Sequence, residues 1–321
     1  MRRKCIKHQR RRARMLVNQI DQELIEYLSK KASGTIGTIH SIFDRVINVL
    51  TLDESYLISI ASKGVIQAPM MMQVSEGLFL KLKETAKIGD PLTKDGGVSV
   101  KIKEVACDYE KAQVWLGKLS LDETFFDQNI WEERCKKITA FICKNQVRNG
   151  LSSAWLKHSK TQTSHCDQND IYTSAFCERL HDFKMAFQEN SEAGILQASR
   201  NLIGLGVGLT PSGDDFLLGC LATWQCFNKT LFQIYEHDNW ISEIKNKTTM
   251  VSYYMLKECH DGFVNDALFK LLATKQTDAL FLQNLELFLN IGATSGKDML
   301  VGVLFAMKYI NTNQLVKRRE K

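Results

Sequence analysis

The sequence predicts an α+β protein in which a small β-barrel or sandwich-like domain precedes a mainly α-helical domain. Short segments rich in β-branched residues, separated by glycine-containing turns, dominate the chain up to about residue 120. Longer segments with helical periodicity follow. With 321 residues, of which 44% are hydrophobic, the chain can bury more than one core. We therefore predict a basic N-terminus with a short helix over 1–32, a β-rich domain over 33–120 and a helical domain over 121–321.

The predicted β-rich domain contains six candidate strands, each bounded by turn-forming residues such as Gly, Asp and Ser. They span 37–47, 56–61, 70–74, 78–82, 98–105 and 113–117. Short strands at this spacing are typical of a small barrel or sandwich. The predicted helices span 16–31, 125–144, 171–190, 191–202, 213–227, 240–259, 262–273, 278–289 and 296–310. Only the first of them precedes the strands, so the two kinds of element occupy separate parts of the chain.

The formal net charge of +6 is concentrated at the N-terminus. Residues 1–14 hold eight Lys or Arg residues and no acid, which leaves the remaining chain close to −2. Such a run can contact nucleic acid, but it has no aromatic residues among its basic ones and no recognisable binding module behind it. We therefore expect a solvated terminus and no nucleic-acid partner.

The sequence also predicts a cytoplasmic protein. The segment after the basic run, MLVNQIDQELIEYL, carries three acidic residues and lacks the apolar core of a secretory signal. No apolar run reaches the length of about 18 residues that a transmembrane helix requires, so we expect no membrane association. The nine cysteines are odd in number and form no CxxC pair, which predicts reduced thiols.

The most informative motif is GLGVGLTPSGDDFLLG over 204–219, because a weaker copy, GATSGKDMLVG, returns over 292–302. At an offset of 83 residues, which relates Ser212 to Ser295, six of ten aligned positions are identical. Each copy has glycines, a hydroxyl residue, Ser-Gly-x-Asp and then an apolar stretch that predicts a buried helix. The repeat therefore predicts a site with two related halves.

Each motif places small and hydroxyl residues at a helix N-terminus, where unpaired backbone N–H groups and the helix dipole favour an anion. Glycines permit a positive φ and a close approach to a ligand. The predicted binding residues for phosphate or carboxylate are Gly206, Gly208, Ser212 and Gly213, together with Thr210, in the first copy, and Thr294, Ser295 and Asp298 in the second.

Asp214 and Asp215 add two adjacent carboxylates to the first copy. Carboxylates suit proton transfer, a substrate amide or a cation such as Mg²⁺ better than direct contact with phosphate. We predict Asp214, Asp215 and Thr210 as the catalytic residues and leave the cofactor open. No His or Cys spacing predicts a zinc site, and neither a P-loop nor a complete dinucleotide fingerprint is present.

Helix capping is the alternative explanation of these motifs. Ser212-x-x-Asp215 fits a capping box, as does the corresponding segment of the second copy, and a capping box needs no ligand. Capping leaves unexplained the glycines before Ser212, the second carboxylate at Asp214 and the hydroxyl of Thr210. A ligand site and a pair of capped helices therefore both remain open.

Gly219 and Gly302 each lie four residues beyond the aspartate of their motif, on the same helix face. If the two helices cross at these glycines with the same polarity, both loops meet at one pocket, whereas an antiparallel crossing separates them. Thr249 and Ser252 are candidates for supporting residues, with ordinary polar positions on a helix as the alternative.

At this point the motifs resemble a known family. NLIGLGVGLTPSGDDFLLG and GATSGKDMLVG resemble a bacterial family of domain proteins of unknown function that includes the third subunit of oxamate carbamoyltransferase. GTIGTIHSIFDRVINV is similar to the opening strands of that family, and TTMVSYYMLKECHDG is similar to its middle helix. The resemblance covers most of the chain after residue 30.

The resemblance implies a subunit of a carbamoyltransferase of purine or allantoin breakdown, which interconverts oxalurate plus phosphate with oxamate plus carbamoyl phosphate. It implies an anionic small-molecule substrate, such as carbamoyl phosphate or oxamate, and other carbamoyltransferase subunits as partners. In that reaction Asp214 or Asp215 would orient or deprotonate the substrate amide. The alternatives are a non-catalytic structural or regulatory subunit of such a complex, or a phosphate- or carboxylate-binding protein of another pathway.

Overall fold

The computed structural model describes residues 17–120, 128–145, 151–152, 154–155, 171–236, 239–273 and 276–309. The basic run over 1–14 lies outside these residues. The chain divides into two compact units, Met1–Leu116 and Gly117–Lys321. The first is rich in strands and the second is helical, which confirms the α+β class.

The first unit is built on one nine-stranded sheet with two helices. The strands are β1 (Val17–Asp21), β2 (Gly34–Ile42), β3 (Val46–Thr51), β4 (Leu57–Ser62), β5 (Met71–Val74), β6 (Pro91–Lys94), β7 (Ser99–Ile102), β8 (Val105–Asp108) and β9 (Gln113–Trp115), and the helices are α1 (Gln22–Lys30) and α2 (Glu76–Thr85). The strand order is β8-β7-β6-β2-β3-β4-β5-β1-β9. Neighbours are antiparallel except the pairs β4–β5 and β1–β9, which are parallel. Within the described part of the chain the strands thus form a single half-barrel sheet, not two facing sheets.

The strand predicted over 78–82 is wrong, because this segment lies within α2. Leu78, Phe79 and Leu82 are buried, a spacing that places them on one face of a helix. Ser75 caps this helix by accepting a hydrogen bond from the backbone N–H of Leu78. The apolar face of α2 packs into the same core as α1 and the sheet.

The described part of the second unit consists of α-helices of 5 to 18 residues and one 3-10 turn. They are α3 (Gln128–Lys144), α4 (Ile171–Gln188), α5 (Glu192–Leu202), α6 (Ser212–Phe227), α7 (Lys229–Glu236), α8 (Trp240–Ile244), α9 (Met250–His260), α10 (Asp266–Leu272), α11 (Asp278–Glu286), a 3-10 turn (Leu287–Asn290) and α12 (Ser295–Tyr309). The helices predicted from the two motifs, over 213–227 and 296–310, correspond to α6 and α12.

Helices α6 and α12 form the centre of this unit. Every residue of α6 except Gln225 is buried, and every residue of α12 except Lys308 is buried. Helices that are apolar on all sides belong to the interior of a domain. Aromatic side chains fill the space around them: the ring centroids of Phe183 and Phe305 are 5.0 Å apart, and those of Phe216 and Phe305 are 5.5 Å apart. This packing holds both repeat helices in fixed positions.

Candidate functional site

The two repeat helices contact each other at their glycines. A Cβ atom added to Gly219 would overlap the carbonyl oxygen of Met299, and one added to Gly302 would overlap that of Phe216. Met299 and Phe216 are themselves related by the 83-residue offset, so the crossing has approximate twofold symmetry. The absence of a side chain at both glycines is what allows the backbones to approach this closely.

The helices run in the same direction, so their N-termini meet. The hydroxyl oxygens of Thr210 and Ser295, which lie at the starts of α6 and α12, are 2.8 Å apart. Two turns later, Gly219 and Gly302 still contact the opposite helix. Of the two polarities that the sequence left open, the structure has the one that brings both loops to a common place.

The glycines of the first loop have the backbone conformations that the sequence predicts. The φ angles of Gly204, Gly206 and Gly208 are 74°, 124° and 100°, values that residues other than glycine rarely adopt. Gly213 differs, since its φ is not positive. It is required because a Cβ atom there would overlap the carbonyl oxygen of Leu202.

The capping box, which was the alternative explanation of the first motif, is not formed in α6. The N-cap residue is Pro211, which has no side chain that can accept a hydrogen bond, and Ser212 is already the first residue of the helix. Ser212 instead faces across the helix pair: burial raises the pKa of Asp298 in the other copy, and a hydrogen bond from the Ser212 hydroxyl opposes that rise. Likewise burial raises the pKa of Asp215, and a hydrogen bond from the Ser295 hydroxyl opposes the rise. The two Ser-x-x-Asp segments therefore exchange partners and do not cap themselves.

Each carboxyl of this pair is surrounded by hydroxyls from both copies. Thr210 joins Ser295 near Asp215, while Thr294 joins Ser212 near Asp298. One oxygen of Asp298 also accepts a hydrogen bond from the backbone N–H of Ser152 at 3.0 Å. The sequence-predicted residues Thr210, Ser212, Thr294, Ser295, Asp215 and Asp298 are therefore brought together at one place.

The paired carboxyls are almost completely buried, with exposed fractions of 1% for Asp215 and 0% for Asp298. Burial raises the pKa of Asp298 to about 6. Burial, reinforced by the charge of Asp298, raises the pKa of Asp215 well above its ordinary value. The Oδ2 atoms of both side chains are sealed from solvent and have no hydrogen bond of ordinary geometry from a described residue. Such a pair can hold and transfer a proton, but a ligand must displace a covering group to touch these oxygens.

Asp214 has a different role from its neighbour. Its carboxylate accepts hydrogen bonds from the backbone N–H of Gly204 at 2.8 Å and from the hydroxyl of Thr248. Burial raises the pKa of Asp214, and these hydrogen bonds, with one from Ser252, oppose the rise. Asp214 thus fastens the glycine loop to the start of α9. The two adjacent carboxyls, Asp214 and Asp215, are turned toward different partners.

Thr249 and Ser252 support the same loop. Thr249 donates a hydrogen bond to the carbonyl oxygen of Leu209 at 2.5 Å, and its hydroxyl also accepts one from the backbone N–H of Ser252, which caps α9. The neighbouring Thr248 was not predicted from sequence. Its only signal is its position directly before a helix that follows the motif, and that position does not reveal a contact with Asp214, 34 residues away.

The backbone N–H groups at the two helix starts are largely engaged. Gly213 donates to the carbonyl oxygen of Leu205 at 2.9 Å, and Gly296 donates to that of Ile291 at 3.0 Å. Asp214 donates to Pro211 at 3.0 Å. Anion binding by the free N–H of Gly213, as the sequence suggested, is therefore not available in this arrangement, and an anion at this site relies on side chains.

Lys297 is a second residue that sequence reasoning missed. It lies in the first turn of α12, between Gly296 and Asp298, and its exposed fraction is 8%. The signal that points to it is the repeat itself, because at the 83-residue offset Lys297 takes the place of Asp214. The second half of the site therefore carries a positive charge where the first carries a negative one.

Other kinds of site are not formed in the described part of the chain. No group of three or more His, Cys, Asp or Glu side chains there is arranged to hold a metal ion. Burial raises the pKa of the Cys220 thiol well above its ordinary value, so Cys220 is a core residue and not a nucleophile. Among the described helices none combines the length and apolar character needed to cross a membrane.

Comparison with known families gives two matches, one in each unit. Residues 202–307 match a family model described as oxamate carbamoyltransferase subunit AllH. Residues 16–114 match a model described as the AllH family N-terminal domain. The first match includes both copies of the repeat and the whole of the paired site. No solved structure matches the chain.

Proposed function

The chain belongs to the AllH family, and on that basis we propose that it binds the anionic substrate of an oxamate carbamoyltransferase complex where α6 and α12 begin. The reaction is the interconversion of oxalurate plus phosphate with oxamate plus carbamoyl phosphate, in purine or allantoin breakdown. The observation that carries the proposal is the meeting of the two loop–helix motifs, at which the hydroxyls of Thr210 and Ser295 are 2.8 Å apart above two buried carboxyls.

The chemistry of the substrates fits this set of groups. Oxalurate, oxamate, phosphate and carbamoyl phosphate all carry oxyanions, which hydroxyl groups can bind as hydrogen-bond donors. Attack on the carbamoyl carbon places negative charge on its oxygen, and a donor aimed at that oxygen stabilises the transition state. Thr210, Ser212 and Ser295 are the hydroxyls at the site that can donate in this way.

The carboxyl pair supplies the proton that the reaction moves. When phosphate oxygen attacks the carbamoyl carbon of oxalurate, the bond from that carbon to the oxamate nitrogen breaks, and the nitrogen gains a proton. In the reverse direction the oxamate nitrogen attacks carbamoyl phosphate and loses that proton. Asp215, whose pKa is raised by burial, is the donor in the first direction, and its carboxylate is the acceptor in the second. Asp214 has a positioning role, since it holds the loop that carries Thr210.

A non-catalytic role in the same complex is the second candidate, and one observation favours it. Both Oδ2 atoms of the carboxyl pair are sealed from solvent, and the helix crossing at Gly219 and Gly302 has an evident packing role. In this candidate the repeat holds the helical unit together, while a partner subunit carries out the chemistry.

Reconstitution of the complex with its partner subunits separates the two candidates. We expect Asp215→Asn to reduce the formation of carbamoyl phosphate from oxalurate and phosphate by about 100-fold or more, the usual contribution of a proton-transferring group. We expect Thr210→Val to reduce it by roughly tenfold, because one donor is lost. Both variants should assemble normally in size-exclusion chromatography.

The matched controls are Asp278→Asn and Thr277→Val, which change an acid and a hydroxyl at the start of α11, outside the paired site. Asp278 is exposed, so its change should leave the rate near the parental value. An assembled Asp215→Asn complex with the parental rate would show that the carboxyl takes no part in transfer, and the non-catalytic candidate would stand.

A further inference from the structure

Within the described part of the chain, no carboxylate pairs with the ammonium group of Lys297. The residue is more than nine-tenths buried, yet its side chain makes no ion pair or hydrogen bond with a described residue. It also differs from Oδ2 of Asp215 and Oδ2 of Asp298, since its nitrogen is not among the polar atoms sealed from solvent. A group in solution can therefore reach the ammonium.

An ammonium group in a mostly buried residue is only partly hydrated, and it gains free energy when an anion pairs with it. The N-terminal end of a helix, where Lys297 lies, carries partial positive charge and also favours an anion. Side chains in a helix lean toward its N-terminus. An anion bound at the start of α12 would therefore interact favourably with both.

Comparison with the first copy strengthens this argument. The corresponding residue there, Asp214, is also buried, but its carboxylate is satisfied by Gly204, Thr248 and Ser252. The protein thus completes one half of the symmetric arrangement with its own groups and leaves the other half incomplete. A group that binds Lys297 must be negatively charged and small enough to reach a mostly buried site.

We propose that Lys297 forms an oxyanion-binding subsite at the start of α12, for a phosphate or carboxylate group. This inference rests on the proposed function in so far as that function supplies oxyanion substrates. It adds a named cation and assigns the anionic end of the substrate to the second copy of the repeat.

Binding of inorganic phosphate and of oxamate to the full-length chain, measured by isothermal titration calorimetry at constant ionic strength, tests the subsite. The two ligands distinguish a phosphate from a carboxylate preference. We expect Lys297→Met, which keeps the apolar stem, to raise the dissociation constant of the preferred ligand by about tenfold or more, as loss of a charge-assisted hydrogen bond does. Lys297→Arg should retain most of the affinity, and Lys136→Met, on the exposed side of α3, should bind like the parent.

Unfolding of the ligand-free variants excludes a trivial loss of structure. Because Lys297 is unpaired, Lys297→Met should have a midpoint of urea unfolding equal to or above that of the parent. Equal affinity of Lys297→Met and the parent for both ligands would overturn the subsite, as would failure of the parent to bind either ligand at millimolar concentration.

Activity of the reconstituted complex distinguishes failure of the subsite from failure of the proposed function. A complex that transfers carbamoyl groups equally well with the parent and with Lys297→Met supports the function and overturns the subsite. Lysine-dependent oxyanion binding in a chain whose complex shows no transfer supports the subsite and overturns the function.

Discussion

The two copies of the repeat share the residues that pack their helices and differ in the residue that follows Ser-Gly. In the first copy this residue is Asp214, whose carboxylate is occupied by groups from the preceding loop and α9. In the second copy it is Lys297, whose ammonium has no partner among the described residues. A symmetric framework therefore carries an asymmetric pair of charges, and the asymmetry is what gives the site a closed side and a receptive side.

The shared residues also show that neither copy is complete by itself. The Ser212 hydroxyl hydrogen-bonds to Asp298, and the Ser295 hydroxyl hydrogen-bonds to Asp215, so each carboxyl has a hydroxyl partner from the other copy. Each carboxyl thus has hydroxyl partners from both copies, and a single loop–helix motif would supply only part of them. The symmetry of the helix crossing is therefore a condition for the site as well as for the core.

The largest effect is expected at the crossing itself. Gly219→Ala and Gly302→Ala each place a Cβ atom against a backbone carbonyl of the opposite helix, and backbone cannot move aside as a flexible side chain can. We expect each change to lower the free energy of unfolding by about 3 kcal/mol or more. Urea unfolding monitored by circular dichroism gives the measurement, and similar losses at both positions would support the twofold contact.

Gly77→Ala is the matched control for these changes, since Gly77 lies in α2 with open space where a Cβ atom would be placed. This change should stabilise the protein slightly, by about 0.5–1 kcal/mol, through helix propensity. Parental stability of Gly219→Ala or Gly302→Ala would mean that the helices do not cross as closely as described.

The second largest effect is expected in how the free energy of unfolding depends on pH, because the two units each contain a buried carboxyl with a raised pKa. The pKa of Asp298 rises from 3.8 to about 6 on folding, so between these values the folded chain binds more protons than the unfolded chain. The stability from this group is fully present below pH 3.8 and is lost as the pH rises through 6, a change of about 3 kcal/mol. Asp298→Asn should remove this dependence, which urea unfolding followed by tryptophan fluorescence between pH 4 and pH 7 would measure.

Asp21 provides an internal comparison in the first unit, because burial also raises the pKa of Asp21 to about 6. Asp21→Asn should reduce the pH dependence of the first unit and leave that of the tryptophan fluorescence, to which the second unit contributes four of the five tryptophans, largely unchanged. An unaltered pH dependence of the second unit in Asp298→Asn would refute the assigned pKa shift.

The smallest effect on the free energy of unfolding is expected at Asp214 and Lys297, the corresponding residues that differ between the two copies. Asp214→Ala removes the acceptor for Gly204 and Thr248, and we expect the free energy of unfolding to fall by about 2 kcal/mol. Asp214→Asn, which keeps one acceptor oxygen, should cost less. Lys297→Met should cost nothing, and a loss equal to that of Asp214→Ala would mean that the second copy is as closed as the first.

Much of the helical unit was predictable because its signals are local. The apolar runs after each Ser-Gly-x-Asp predicted α6 and α12, and the glycines before Ser212 predicted the positive φ of Gly204, Gly206 and Gly208. The strand-rich first unit was harder. β1 was not predicted, because its five residues run directly into α1 and were included in one helix over 16–31. β6 was missed because Pro91 begins it.

The error at 78–82 has a related cause. Leu78, Leu80 and Leu82 alternate with polar or aromatic residues, a pattern that a strand and a short amphipathic helix share. Ser75 caps the segment and Leu80 is exposed, which settles it as a helix. A segment of this length has too few residues for periodicity to separate the two structures.

The sequence by itself determined the repeat, the residues of the two loops, the buried character of both helices and the family to which the chain belongs. Tertiary structure alone decided the polarity of the crossing, the exchange of Ser and Asp partners, the attachment of Asp214 to Thr248 and the isolation of Lys297. The physical reason is distance along the chain: helix propensity and backbone conformation arise from neighbours within a few residues, whereas Thr210 meets Ser295 across 85 residues. Such contacts form only when the packing of the whole helical unit brings the two helix starts together.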